Sequence, residues 1–282
     1  MLPSSRPETP CSVKRAIFAV TGALELVFGG LLYFWPQLAF ALLGRPVVDP
    51  VIAHQYGLFL ASVALMYAIA SIDPIRYRQL VWVALVQRGA ELVAAVIDWR
   101  DGALPSSSFA MLAGVEVGIG ALLWLCGSSG TSPRPKRAAR ARSEAWLGRA
   151  LFAFGGLQVF WAVLSTIFVQ LGARLLGWKL QDPYTTQQQG IALLVIGLTS
   201  LLAGSDVRRY RALIWVPVSS QALGVANAVN ELRFGTISPT VALIQWTIQA
   251  AIIAGLLGLA AAEEREYAGA AGVTEGVHQR SS

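Results

Sequence analysis

Four ionisable residues stand inside long apolar runs: Glu25, Arg88, Glu91 and Glu116. In bilayer hydrocarbon each costs at least about 2.5–3.5 kcal/mol to insert, so such residues turn inward and seek one another. Arg88 and Glu91 are three positions apart, which puts them on one helix face. Three carboxylates around one guanidinium leave surplus negative charge, and desolvation with like-charge repulsion predicts that at least one carboxyl carries a proton. A protonatable carboxyl beside an arginine suits a proton relay, a quinone headgroup site or a cation site. The same side chains would equally serve interhelical hydrogen bonding that fixes helix register, and both readings stay open.

His54 and Gln55 open the next apolar run and are expected at the mouth of a cavity over this cluster, where His54 would exchange protons with the outer side. Other chemistry is poorly served. Only two histidines exist, His54 and His278, and His278 lies in the polar tail, so bis-histidine haem within the membrane is excluded. Cys11 and Cys126 form no Cys-x-x-Cys, and no His–carboxylate spacing matches a metal site. There is no phosphate loop, dinucleotide fingerprint or serine nucleophile elbow. No nucleophile–base pair or cofactor motif is visible, so the chain is not expected to be an enzyme on its own.

The elements that must position the cluster follow from composition. The 282 residues are 55% hydrophobic and 13% charged. Soluble domains carry about twice that share of charge, so the solvent for most of this surface is lipid. The net charge of +6 would suggest nucleic acid in a soluble protein. Here the basic residues sit between apolar runs, where they set orientation, and no nucleic-acid partner is expected. Runs near 16–36, 51–72, 79–98, 107–127, 149–170, 187–204, 212–231 and 240–262 are each about long enough to span a bilayer as helices. Helix is the required conformation, because an open sheet cannot satisfy its backbone in lipid. The expected fold is all-α and polytopic. The N-terminal run lacks a small-residue cleavage site and should stay as a helix, and Pro217 should kink the seventh.

The halves resemble each other when shifted into register. Leu42-Leu43-Gly44 meets Leu175-Leu176-Gly177, Asp49-Pro50 meets Asp182-Pro183, and Arg76-Tyr77-Arg78 with Leu80 and Trp82 meets Arg209-Tyr210-Arg211 with Leu213 and Trp215. The expected organisation is a tail (1–14), a four-helix unit (15–127), a basic linker (128–148), a second unit (149–262) and a tail (263–282). An even number of spans per unit makes the repeats parallel, whereas inverted-repeat transporters need an odd number. The same register pairs Glu25 with Gln158, Arg88 with Gln221, Glu91 with Gly224 and Glu116 with Gln249, so charge is confined to the first unit while polarity persists in the second. Most of the Lys and Arg fall in the tails, the linker and the two Arg-Tyr-Arg turns, against Arg45, Arg100, Arg174, Lys179 and Arg233 on the other side. By the positive-inside rule both termini face the cytoplasm, and Arg76, Tyr77, Arg78, Arg209, Tyr210 and Arg211 are expected to anchor the turns at headgroup depth.

Arg15 at the start of the first span, Gly22-x-x-Glu25 within it, Gln55-x-Gly57 opening the second span and Asp73-Pro74-x-Arg76-Tyr77-Arg78 closing it resemble the DoxX-like superfamily of four-helix bacterial membrane proteins, here as a tandem pair. The resemblance implies a bacterial inner-membrane location and an accessory, non-haem role in a quinone-linked redox system, with a membrane redox protein as partner beside the lipid bilayer. It supplies no catalytic residue. A proton-coupled transporter or channel for a small solute using the four charged residues, or a structural membrane scaffold, are the other functions these residues suit.

Overall fold

The computed structural model describes residues 11–127, 142–171, 182–235 and 237–280, with side chains as far as Ala268. The linker residues Arg134, Lys136, Arg137 and Arg140, the loop residues Leu175, Leu176 and Gly177, and the His278 side chain lie outside that description. Every element found is helical: α1 (Cys11–Phe34), α2 (Pro36–Leu42), α3 (Pro50–Ile72), α4 (Leu80–Arg100), α5 (Ser106–Gly127), α6 (Arg142–Thr166), α7 (Pro183–Ser205), α8 (Trp215–Arg233) and α9 (Pro239–Arg280). All but the short α2 are long and apolar enough to cross a membrane, eight helices among the described residues. The chain is a multi-pass membrane protein in contact with the bilayer. Exposed Trp82, Trp124, Trp146 and Trp215 gather near one end of the bundle and Trp35 and Trp99 near the other, as in interfacial aromatic belts.

Caps fix where the two central helices begin. Asp49 accepts hydrogen bonds from the Val51 and Ile52 amides at 3.0 and 3.2 Å, and Asp182 accepts from the Thr185 amide at 3.2 Å. Pro50 and Pro183 follow in the first turn, where a missing N–H costs nothing. Pro217 is likewise in the first turn of α8, after a 3-10 turn at Arg211–Ile214. At that position Pro217 requires no kink, because the amide it lacks is one the helix start leaves unbonded anyway.

Glycine seams set the helix pairing. α1 lies against α3 so closely that a Cβ on Gly57 would stand 2.5 Å from the Gly29 carbonyl oxygen. α6 lies on α7 in the same way, with a Cβ on Gly155 meeting the Gly197 carbonyl oxygen at 2.8 Å. Close backbone approach of this kind is the usual source of helix association in lipid. Around these pairs, α4 packs on α5 and α8 on α9, while α3 meets α7 and α8, and α4 meets α7. α3 and α7 thus form the centre.

At the arginine-rich end, Arg76 Nη2 donates to the Arg208 carbonyl at 2.8 Å and Arg209 Nη2 donates back to the Arg76 carbonyl at 3.3 Å. The Tyr77 and Tyr210 rings are buried and face one another at 6.2 Å. Their phenols are pushed above the ordinary value, chiefly by burial. The expectation of headgroup anchors is corrected here: the tyrosines pack inside, and the arginines beside them tie two turns together through carbonyls that had no helical partner.

Two boundaries also differ from expectation. α6 begins at Arg142, because Ser143 and Glu144 are buried by partners on α9 and the α7–α8 turn. Ser143 Oγ donates to Glu266 at 2.7 Å, Tyr267 OH donates to Glu144, and Arg208 pairs with Glu144 at 3.1 Å. The same contacts, with Arg211 on Glu264 at 2.7 Å, hold α9 beyond the apolar stretch as far as Tyr267, and its helix extends to Arg280.

Candidate functional site

Glu25 on α1, Arg88 and Glu91 on α4 and Glu116 on α5 come together in one cluster. Arg88 Nη1 donates to Glu91 Oε2 at 2.9 Å and to Glu116 Oε2 at 3.0 Å, and Arg88 Nη2 donates to Glu25 Oε1. Glu25, Arg88 and Glu116 are all buried. One guanidinium thus serves three carboxylates from three helices, and Glu91 and Glu116 accept from the same nitrogen, Arg88 Nη1. Arg88 Nε remains a buried donor without an acceptor.

Two members of this network were not expected from sequence. Gln87, fully buried, donates through Nε2 to Glu25 Oε1 at 2.8 Å and to Glu91 Oε1 at 2.9 Å. Its Oε1 accepts from the Tyr67 hydroxyl at 3.0 Å. The signal was a polar amide mid-span, four residues before Glu91, a spacing that brings side chains together on a helix.

The cluster forms one wall of a cavity of about 360 Å³. Helical spacing explains the lining: Thr21, Glu25, Phe28 and Leu32 share a face of α1, and Arg88, Glu91 and Ala95 share a face of α4. α5 adds Met111, Val115, Glu116 and Ile119, and the turn around α2 adds Phe40, Leu42 and Leu43. The remaining wall comes from Tyr56 on α3 and Tyr184, Thr185 and Gln188 on α7. Leu24, Leu42, Met111 and Val115 line the cavity and are also about half exposed on the outside of the bundle. Its open side therefore lies between α1, α2 and α5 and faces lipid. Toward the arginine-rich end, Phe18, Tyr67, Ala84 and Leu123 are fully buried and do not line it.

His54 and Gln55 do not line this cavity. Successive helical residues point about 100° apart, and Tyr56 takes the cavity face instead. His54 sits between the Tyr33 and Phe234 rings, at 5.6 and 6.0 Å. Gln55 joins a second buried network, accepting from Gln189 Nε2 at 2.8 Å and donating to Glu231, which also accepts from Asn227 Nδ2 at 2.8 Å.

Gln158, Gln221 and Gln249 form no hydrogen bond with one another among the described residues. Gln221 reaches Ser220 at 3.4 Å, and the Gln249 amide lies where a side chain on Gly224 would stand, 2.5 Å from its ideal Cβ. Gln249 thus fills the space that the missing Glu91 counterpart leaves. Among the described residues no group of three His, Cys, Asp or Glu could hold a metal.

The cavity has the volume of a small-ligand pocket, which runs from about 300 Å³ upward. Its apolar walls and lipid-facing opening suit a tail, and its cluster offers both proton donors and acceptors. No family model matches the chain, and neither a curated protein nor a solved structure does.

Proposed function

We propose that this is a DoxX-like protein of the bacterial inner membrane that binds a lipid-soluble carrier of the quinone class, as an accessory component of a membrane redox system. The observation that carries the reading is the lateral opening between α1 and α5, with the Glu25–Arg88–Glu91–Glu116 cluster on the wall behind it. A ligand reaching this cavity by that route comes from the membrane and is amphiphilic. The fit is chemical as well as spatial. Arg88, Glu91 and Glu116 line the cavity, and a ring carbonyl accepts from a guanidinium while a ring hydroxyl donates to a carboxylate.

A bound quinone would supply two-electron, two-proton chemistry. The chain's own part is to hold and hand over protons. Three carboxylates on one arginine would carry a net charge of −2 if all were ionised, so like-charge repulsion and desolvation keep at least one proton on them, beside the headgroup. Gln87 and Tyr67 fix the carboxylates in place, and the apolar walls keep water away from them. Electrons come and go through a partner redox protein.

Two features of arrangement belong to the same proposal. The halves are copies of one four-helix unit, supported by contacts between residues that the sequence register pairs: Arg76 with Arg209, Tyr77 with Tyr210, and Thr199 Oγ1 donating to Met66 Sδ at 3.1 Å. The arginine-rich end is cytoplasmic, supported by the distribution of Lys and Arg.

The test is extraction of the protein in native lipid discs, followed by mass spectrometry of the lipid-soluble fraction. Wild type should carry quinone well above its share in the surrounding membrane, and Val115→Trp, which fills the opening from an exposed position, should not. Equal quinone in both, at the membrane's own level, refutes the reading. Transport is the second reading: solute flux in proteoliposomes that depends on pH and is lost in Glu116→Gln would assign the cavity to it, although the fully buried side chains toward the arginine-rich end oppose a through-path.

A further inference from the structure

We propose that Tyr56 and Gln188 form a second recognition point in the cavity, and that its ligand carries oxygen functions at two separate positions of its headgroup. This rests on the reading of the cavity as the seat of a lipid-soluble headgroup, and goes beyond it by naming what that headgroup must present.

The argument starts from unspent hydrogen-bonding capacity. Tyr56 and Gln188 line the cavity and are 8% and 6% exposed. Neither side chain has a hydrogen-bond partner among the described residues, yet neither has a polar atom sealed off from all space, as Arg88 Nε and Asn227 Oδ1 are. A polar group that is nine-tenths buried, unpartnered and still accessible is open to the cavity. Such a group gains from any ligand atom that completes its hydrogen bond. The other polar residues of this wall are already engaged. Thr185 Oγ1 donates to Asp182 at 2.6 Å, and Tyr184 lies under the Arg45 guanidinium at 3.8 Å.

The pair comes from helices that hold none of the charged cluster. The charged cluster is held by α1, α4 and α5, whereas Tyr56 comes from α3 and Gln188 from α7. One oxygen of a ligand at Arg88 leaves this second pair unsatisfied. A second oxygen elsewhere on the ring can reach it. The donor inventory also fits both hydrogenation states of such a ring. A carbonyl accepts from the Tyr56 hydroxyl and the Gln188 amide, and a hydroxyl can instead donate to the Gln188 carbonyl. Because Gln188 lies in the second half of the chain, the half without buried charges contributes directly to binding.

The test compares two probes of equal tail length, a decyl-substituted 1,4-benzoquinone and a decylphenol, binding to the full chain in lipid discs. The phenol has one oxygen, which takes the stronger charged partners of the cluster. Tyr56→Phe and Gln188→Leu should each weaken quinone binding about three- to tenfold and leave phenol binding within about twofold. Unchanged quinone affinity in both variants overturns the second point while leaving the cavity reading intact. An equal loss for both probes overturns it too, by showing a general disturbance of the cavity. Wild type that binds neither probe brings down the cavity reading, and this inference with it.

Discussion

Replacing Arg88 with leucine tests whether the cluster is a single electrostatic unit. The substitution removes the only cation from a group of three carboxyls, with contacts of 2.9 Å to Glu91 and 3.0 Å to Glu116 and a third to Glu25. Breaking one buried pair costs about 3–5 kcal/mol, because the remaining charge is stranded. The carboxyls can each take up a proton, which limits the loss to that range rather than to three times it. The control is a fourfold variant copying the second half: Glu25→Gln, Arg88→Gln, Glu91→Gly and Glu116→Gln. Replacing an entire ionic set with neutral groups is close to neutral for stability, so this variant should fall within about 2 kcal/mol of wild type. Unfolding free energies from denaturing-detergent titration in micelles give both values. A loss under about 1 kcal/mol for Arg88→Leu, or a fourfold variant no more stable than the single one, refutes the reasoning.

Gly57→Ala should destabilise by about 1–3 kcal/mol, since its methyl would press on the Gly29 carbonyl oxygen, while Gly30→Ala, with nothing within 4 Å, should change stability by less than about 0.5 kcal/mol; the same titration reads both. Gln55→Leu removes a donor from buried Glu231 and an acceptor from Gln189, and should cost about 1–3 kcal/mol while leaving quinone-probe affinity unchanged. A membrane-impermeant maleimide should label exposed Cys11 in inside-out vesicles and not in intact cells, and should label buried Cys126 only after denaturation. Labelling of Cys11 from the outside would reverse the proposed orientation.

Much of the bundle was legible because lipid imposes a simple grammar. Apolar runs of bilayer length separated by arginine located the eight long helices, and rare mid-span charges located Glu25, Arg88, Glu91 and Glu116. What the sequence hid depended on rotation and depth. His54, Gln55 and Tyr56 are consecutive, and only the packing of α3 against α7 decides that Tyr56 takes the cavity. Gln87 looked like any polar residue until its amide was found between two carboxylates. Tyr77 and Tyr210 read as interfacial because tyrosine beside arginine usually is, and their burial follows from the two turns meeting at the centre. α2 escaped notice because seven residues are too few to show a period.

The glycine seam between α1 and α3 makes those two helices a stiff pair, while α5 leans mainly on α4 and barely on α1. The lateral opening is consequently bounded by one rigid jamb and one leaf hung from α4. Lateral pressure in the surrounding lipid acts on that leaf first. Occupancy of the cavity should therefore respond to acyl-chain order and bilayer thickness, which makes the membrane's physical state an input to the protein.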